Sequence, residues 1–220
     1  MTKTVGLIHT SATLVPIFQD LINKYFSDRE IKFFNIVDDS LIKLTIERGA
    51  LTPDTSRRVV NYVGSAEAAG ADYILVTCSS IGPAVESAAF LTNVPVLRVD
   101  QPMADKAIQM GSKIGVVATL PTTLEPTSDL VRRRAMTSGK EIVLISRLCE
   151  GAFDALMSGA PEKHDEMVAS ALKELSQQTD VILLAQASMA RVADQLPEED
   201  KKVPVLTSPE LAIRYLANIL

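Results

Sequence analysis

The second half of this chain repeats the first. Val5-Gly-Leu-Ile-His-Thr10 aligns with Ile114-Gly-Val-Val-Ala-Thr119 at a shift of about 109 residues. Asp72-Tyr-Ile-Leu-Val-Thr-Cys-Ser-Ser80 aligns with Asp180-Val-Ile-Leu-Leu-Ala-Gln-Ala-Ser188 at about 108, and Val94-Pro-Val-Leu97 with Val203-Pro-Val-Leu206 at about 109. Glu30-Ile31 matches Glu141-Ile142 at about 111. Four landmarks in one order at nearly one offset imply two homologous halves, related by a pseudo-two-fold.

Each half alternates short apolar, β-branched runs with helical patterns. Strands are expected over residues 3–8, 31–36, 73–76 and 94–99, then over 113–117, 142–145, 181–184 and 204–206. Their continuous apolar character is that of strands covered on both faces. Between them Ile17, Leu21 and Tyr25 recur at i, i+4, i+8, and Met167, Ala171 and Leu175 form a stripe with Val168 and Leu172 beside it. Helices over 56–69 and 127–138 end at Gly70 and Gly139, plausible C-caps. The fold class is α/β: two pseudo-symmetric four-stranded parallel-sheet halves with the site in the cleft between them. The first half is expected to span 1–100 plus about 208–220, because the apolar helix 209–220 packs back on it; the second spans 101–207.

Composition narrows the function classes. Apolar residues at 47% and charged residues at 22% indicate a folded globular chain. A net charge of −5 disfavours nucleic acid, whose phosphates want a basic face. The apolar runs are too short for a membrane span. The opening MTKTVGLIHTSATLV shows no signal-peptide pattern. Two cysteines, Cys78 and Cys149, make no disulfide framework and sit in no metal-binding spacing, so a reducing, cytoplasmic setting and no metal are expected. No dinucleotide fingerprint, P-loop or zinc motif occurs.

Ligands of parallel sheets bind beyond the carboxyl ends of the strands. Four loops stand there: His9-Thr-Ser-Ala-Thr13, Thr77-Cys-Ser-Ser-Ile-Gly-Pro83, Ala118-Thr-Leu-Pro-Thr-Thr123 and Ala185-Gln-Ala-Ser-Met189. Their hydroxyls and the N–H groups of following helices suit an anion. They carry no Lys or Arg, so a small carboxylate fits better than a phosphate. Each hydroxyl alone is equally well a helix cap. Cys78 lies at a strand end before a helix N-terminus, a placement expected to lower a thiol pKa. Cys149 lacks that context and reads as structural. His9 ends the first strand and is expected to face the cleft. His164, in a charged stretch, reads as solvated. Arg132-Arg-Arg134 reads as an exposed face and Asp38-Asp39 as a helix cap.

On the two α/β halves, the Thr77-Cys-Ser-Ser80 loop and the Gly115-Val-Val-Ala-Thr-Leu-Pro-Thr-Thr123 stretch, the chain resembles the Asp/Glu/hydantoin racemase superfamily over essentially its whole length. The resemblance implies a cofactor-independent isomerase or racemase type of enzyme, commonly a homo-oligomer. In such racemases one cysteine from each half works on opposite faces of the carbon next to a carboxylate. Relatives include maleate isomerase and the single-cysteine arylmalonate decarboxylase. By carry-over Cys78 is the first-half cysteine, and Thr119, Thr122 and Thr123 lie in the region that holds the substrate carboxylate. Ser11 and Thr13 are their first-half counterparts. Thr77, Ser79, Ser80, Pro121, Ala187 and Ser188 complete the expected binding loops.

One departure is decisive. Gln186 occupies the position of the second cysteine. A carboxamide does not exchange protons near neutral pH, although it can hydrogen-bond a carboxylate. Three readings follow. The first is a single-cysteine enzyme acting on a small carboxylic acid by isomerisation or decarboxylation. The second is a racemase or epimerase pairing Cys78 with another acid, for which His9 is the candidate. The third is a non-catalytic carboxylate-binding protein.

Overall fold

The repeated stretches form matching parallel ladders in a computed structural model, which describes residues 2–197 and 199–220. The chain divides into two units, Met1–Gln101 with Pro209–Leu220, and Pro102–Ser208.

The first unit runs β1 (Lys3–His9), α1 (Leu14–Phe26), β2 (Ile31–Val37), α2 (Asp39–Glu47), α3 (Pro53–Ala68), β3 (Tyr73–Val76), α4 (Gly82–Ala89) and β4 (Val96–Arg98). Its all-parallel sheet has the order β2-β1-β3-β4. The second unit runs α5 (Gln101–Met110), β5 (Lys113–Ala118), α6 (Pro121–Thr137), β6 (Val143–Leu148), α7 (Ala152–Met157), α8 (Pro161–Leu175), β7 (Val181–Leu184), α9 (Ala190–Gln195) and β8 (Val205–Thr207), with sheet order β6-β5-β7-β8. The last helix, α10 (Ser208–Ile219), returns to the first unit from Pro209 onward.

Register repeats with the sequence. Val5 of β1 pairs with Phe33 and Tyr73, and its counterpart Ile114 of β5 pairs with Leu144 and Val181. The Asp that opens the third strand of each repeat clamps the start of the first. Asp72 Oδ2 accepts the Thr4 N–H at 2.8 Å, and Asp180 Oδ2 accepts the Ser112 and Lys113 N–H groups at 2.9 and 2.8 Å. Central strands are buried on both faces. The outer strands β2 and β6 are not, because one of their edges has no neighbour, and exposed residues interrupt them.

On one face of the first sheet Val5, Leu7 and Leu75 pack with Phe18, Ile22 and Phe26 of α1 and Ala212, Ile213 and Leu216 of α10. The opposite face packs Ile8, Ile74 and Val76 with Val59, Val63 and Ala66 of α3 and Ala84, Val85 and Ala88 of α4. The α1 stripe that is buried is therefore Phe18, Ile22 and Phe26. Ile17 is exposed, and Leu21 and Tyr25 pack only at the margin. Two rings bury more apolar area than the neighbouring stripe offers, at about 1.5–3 kcal/mol for each fully buried large side chain. α10 is tied down further by Glu210, which takes the Tyr25 hydroxyl and pairs with Lys24 at 2.8 Å.

Helix ends follow the glycines. Gly70 (φ +87°) and Gly139 (φ +65°) turn the chain left-handed after α3 and α6, while Ala71 N–H and Lys140 N–H reach back to Ala66 and Ala135 carbonyls at 3.1 and 3.0 Å. α6 starts at Pro121, ahead of the expected 127, because proline at the first helical position loses no intrahelical bond. In α8 the core stripe is His164, Val168 and Leu172, with Ala171 and Leu175 beside it. His164 is thus fully buried rather than solvated: helical period 3.6 outweighs its charged neighbours in sequence. No helix of the described residues is long and apolar enough to cross a membrane.

Candidate active site

In the first unit the carboxyl ends of β1 and β3 are adjacent, since Ile8 pairs with Val76. Thr10 and Cys78 follow those ends as neighbours, and the Thr10 hydroxyl hydrogen-bonds the Cys78 sulfur. Cys78 is half-buried and packs on the Ile8–Ile74–Val76 face. Its backbone is extended (φ −133°, ψ 120°) and leads into a short 3₁₀ turn, Ser79–Ile81, and then α4. Burial pushes the thiol pKa up. Hydrogen bonds from Thr10, the Ser80 and Ile81 N–H groups and the Ser80 side chain oppose the rise without cancelling it. The lowering expected from the helix N-terminus is overturned, because desolvation of a thiolate outweighs those donors. Thiol, not thiolate, is the resting state.

His9 does not present a ring nitrogen beyond the strand end. It is fully buried, 5.5 Å from the Phe18 ring, with Nε2 2.9 Å from Asn35 Oδ1 and Nδ1 2.9 Å from Thr77 Oγ1. Thr77 Oγ1 also lies 3.2 Å from the Ile8 carbonyl, so its one proton serves either that oxygen or His9 Nδ1. Burial lowers the pKa, and the Asn35 bond opposes this only in part. His9 therefore ties β2 to β3 beneath the loops.

The loop after β1 is internally bonded. Ser11 Oγ lies 2.8 Å from Thr13 Oγ1, and Ala12 N–H donates to Asp39 Oδ1 at 2.8 Å. Asp39 thus takes one of the donors that an anion would use. Asp38 caps α2 through the Ser40 N–H at 3.0 Å and also meets Tyr62 and Arg58. Burial alone would raise its pKa, but these partners carry it below the ordinary carboxylate range. Thr77, Ser79 and Ser80 are buried.

The second unit builds the same corner with different chemistry. Gln186 has nearly the backbone angles of Cys78 (φ −132°, ψ 138°) and leads into the equivalent turn Ala187–Met189 and α9. Thr119, the counterpart of Thr10, donates both its backbone N–H (2.6 Å) and its hydroxyl (3.0 Å) to Gln186 Oε1. Two donors on one oxygen fix the amide orientation and turn its NH₂ away from Thr119. The amide oxygen of Gln186 thus receives the threonine hydroxyl as sulfur does in the first unit. At the start of α6 Pro121 is exposed, Thr123 is buried, and Thr122 Oγ1 is buried without a hydrogen-bond partner. Ala187 is half-buried and Ser188 exposed.

Cys149 is buried, its sulfur 3.8 Å from the Met167 carbonyl, and burial raises its pKa. It packs in the second core with Val117, Val168 and Ile182. Among the described residues no group of His, Cys, Asp or Glu side chains is placed to hold a metal ion. Asn35 is not singled out by the sequence, and Asp39, read there with Asp38 as a helix cap, instead accepts the Ala12 N–H while Asp38 makes the cap. Thr10 lies within the expected His9–Thr13 loop and matches Thr119 in the repeat, but it is not among the individual binding residues expected there.

A family model of the Asp/Glu/hydantoin racemases matches residues 5–216. No curated protein matches the chain. Among solved structures, a glutamate racemase from Bacillus anthracis superimposes with a TM-score of 0.73 at 17% identity, covering 99% of this chain and 81% of the other. An aspartate racemase from Picrophilus torridus gives 0.73 at 16% identity over 98% and 94%. An allantoin racemase from Klebsiella pneumoniae gives 0.67 at 18% identity over 99% and 87%. At identities this low the likeness is one of fold.

Proposed function

The chain belongs to the Asp/Glu/hydantoin racemase family, and from that premise we propose a cofactor-independent enzyme that acts on a small carboxylic acid with Cys78 as its only proton-exchanging thiol. One observation carries this reading: the paired corners Thr10–Cys78 and Thr119–Gln186 are built alike, and only one ends in a group that can exchange a proton. A two-thiol racemisation needs both.

The raised thiol pKa favours Cys78 as an acid rather than a base at neutral pH. Decarboxylation of a malonate-type acid suits such a group. The C–C bond to one carboxylate breaks, CO₂ leaves, and its electron pair remains as an enediolate. The Cys78 S–H bond then breaks as the new C–H bond forms. The thiolate left behind is held by the Thr10 hydroxyl and the Ser80 and Ile81 N–H groups until it takes a proton from water. Isomerisation through attack of the thiolate on an alkene would use the same group, but starts from the minor protonation state. In the second unit, a carboxylate-holding role for Thr122 and Thr123 is supported by the N-terminus of a long helix and by the unpartnered Thr122 Oγ1, whereas Thr119 gives both its N–H and its hydroxyl to Gln186 Oε1.

The test is proton NMR in D₂O with 2-amino, 2-hydroxy, malonate-type and cis-alkene acids, with Cys78→Ser as control. Loss of a carboxyl or a changed alkene geometry, absent in the control, supports the reading. Deuterium wash-in with inversion from both enantiomers overturns it.

A further inference from the structure

Beside the corner that carries Cys78 lies a buried ion cluster that, among the described residues, has no counterpart at the other corner. Arg98 ends β4 beside Val76, and its guanidinium is buried. It makes a two-point pair with the fully buried Asp100 (Nε–Oδ1 3.0 Å, Nη2–Oδ2 2.8 Å) and a third bond to Glu86 of α4 (2.5 Å). The same guanidinium lies against Gly82, where a β-carbon would overlap its central carbon. Gly82 directly follows Ser80 and Ile81 of the turn that leaves Cys78, and backbone hydrogen bonds from these two residues favour the Cys78 thiolate.

The second unit is an internal control. At the same register Leu184 pairs with Thr207, so threonine stands where Arg98 stands. Ala190 begins α9 where Gly82 begins α4. The glycine and the arginine occur together in the unit with the thiol, and both are replaced in the unit with the amide. A buried ion pair adds little stability over an apolar pair of the same volume, so stability alone does not explain its presence. Fixing a turn does.

We propose that Arg98, seated on Gly82, is a positioning residue that holds the Ser79–Ile81 turn so that its N–H groups stay aimed at the Cys78 sulfur. This rests on the reading of Cys78 as the reacting group. Displacing the guanidinium lets the turn move, removes donors that favour the thiolate, and drives the thiol pKa further up.

The experiment follows alkylation of Cys78 by iodoacetamide, read by peptide mass spectrometry, from about pH 6 to about pH 10. It compares wild type, Arg98→Met, Gly82→Ala and, as a control, Arg48→Met, which breaks a surface pair with Asp54. Gly82→Ala leaves every charge in place and covers the case in which Arg98→Met does not fold; thermal melts establish which variants are folded. The profile is expected to move up by about one pH unit, with neutral-pH alkylation about tenfold slower, in Gly82→Ala and Arg98→Met but not in Arg48→Met. An unmoved profile in folded Gly82→Ala or Arg98→Met overturns the proposal. The readout needs no substrate. A moved profile in a protein that turns over none of the acids keeps the positioning role and removes the catalytic reading; turnover with an unmoved profile does the reverse.

Discussion

Replacing Gln186 by Met removes an acceptor while nearly keeping volume, and so isolates what the amide oxygen contributes. Thr119 is 4% exposed, and its N–H and hydroxyl both converge on Gln186 Oε1, at 2.6 and 3.0 Å. Without that oxygen the N–H is left buried and unsatisfied, which costs about 1–3 kcal/mol. The hydroxyl can rotate, so its loss costs about 0.5–1.5 kcal/mol. Together Gln186→Met is expected to lose about 1.5–4.5 kcal/mol, seen as a lower urea midpoint at unchanged slope and a Tm lower by about 2–4 °C for each kcal/mol lost. Gln186→Glu keeps an acceptor and should stay within about 0.5 kcal/mol of wild type. A double-mutant cycle with Thr119→Val should give a coupling of about 1–2 kcal/mol. If Gln186→Met costs no more than Gln186→Glu, the amide does not hold the Thr119 corner. The structural equivalence drawn between Gln186 and Cys78 then fails.

Three further outcomes are expected. The alkylation rate of wild-type Cys78 should still be rising above pH 9.0, the ordinary thiol value, because burial raises its pKa; a plateau below that pH contradicts the resting-thiol assignment. His9 has a lowered pKa, so the folded state binds fewer protons than the unfolded state between its folded value and 6.5. Its contribution to stability is full above 6.5 and is lost as pH falls toward the folded value, and urea melts of His9→Gln should lack that part of the acid-side decline. Phe18→Ala should cost about 3–5 kcal/mol by urea unfolding, because Phe18 is 1% exposed between the sheet and α10.

The repeat determined most of the architecture. Equal spacing of Val5-Gly and Ile114-Gly, of Asp72 and Asp180, and of the two Val-Pro-Val-Leu stretches specifies two like ladders, since strand pairing is set by short apolar runs that survive in a single sequence. The helix ends at Gly70 and Gly139 were equally legible, because only glycine takes a left-handed turn at little cost. The substitution of Gln186 for a thiol was plain from the alignment of the halves.

What sequence could not carry was the environment of each group. His9 and His164 are polar residues on buried faces, and their burial depends on which stripe the neighbouring helices cover. The Cys78 pKa rises rather than falls because it depends on how much protein surrounds the sulfur against how many donors reach it, and both are three-dimensional counts. Arg98, Asp100 and Glu86 look like ordinary surface charges in the sequence. Only the register of β4 against β3 brings them over Gly82, next to the thiol. Local periodicity is written along the chain, whereas desolvation and charge pairing arise between segments far apart in it.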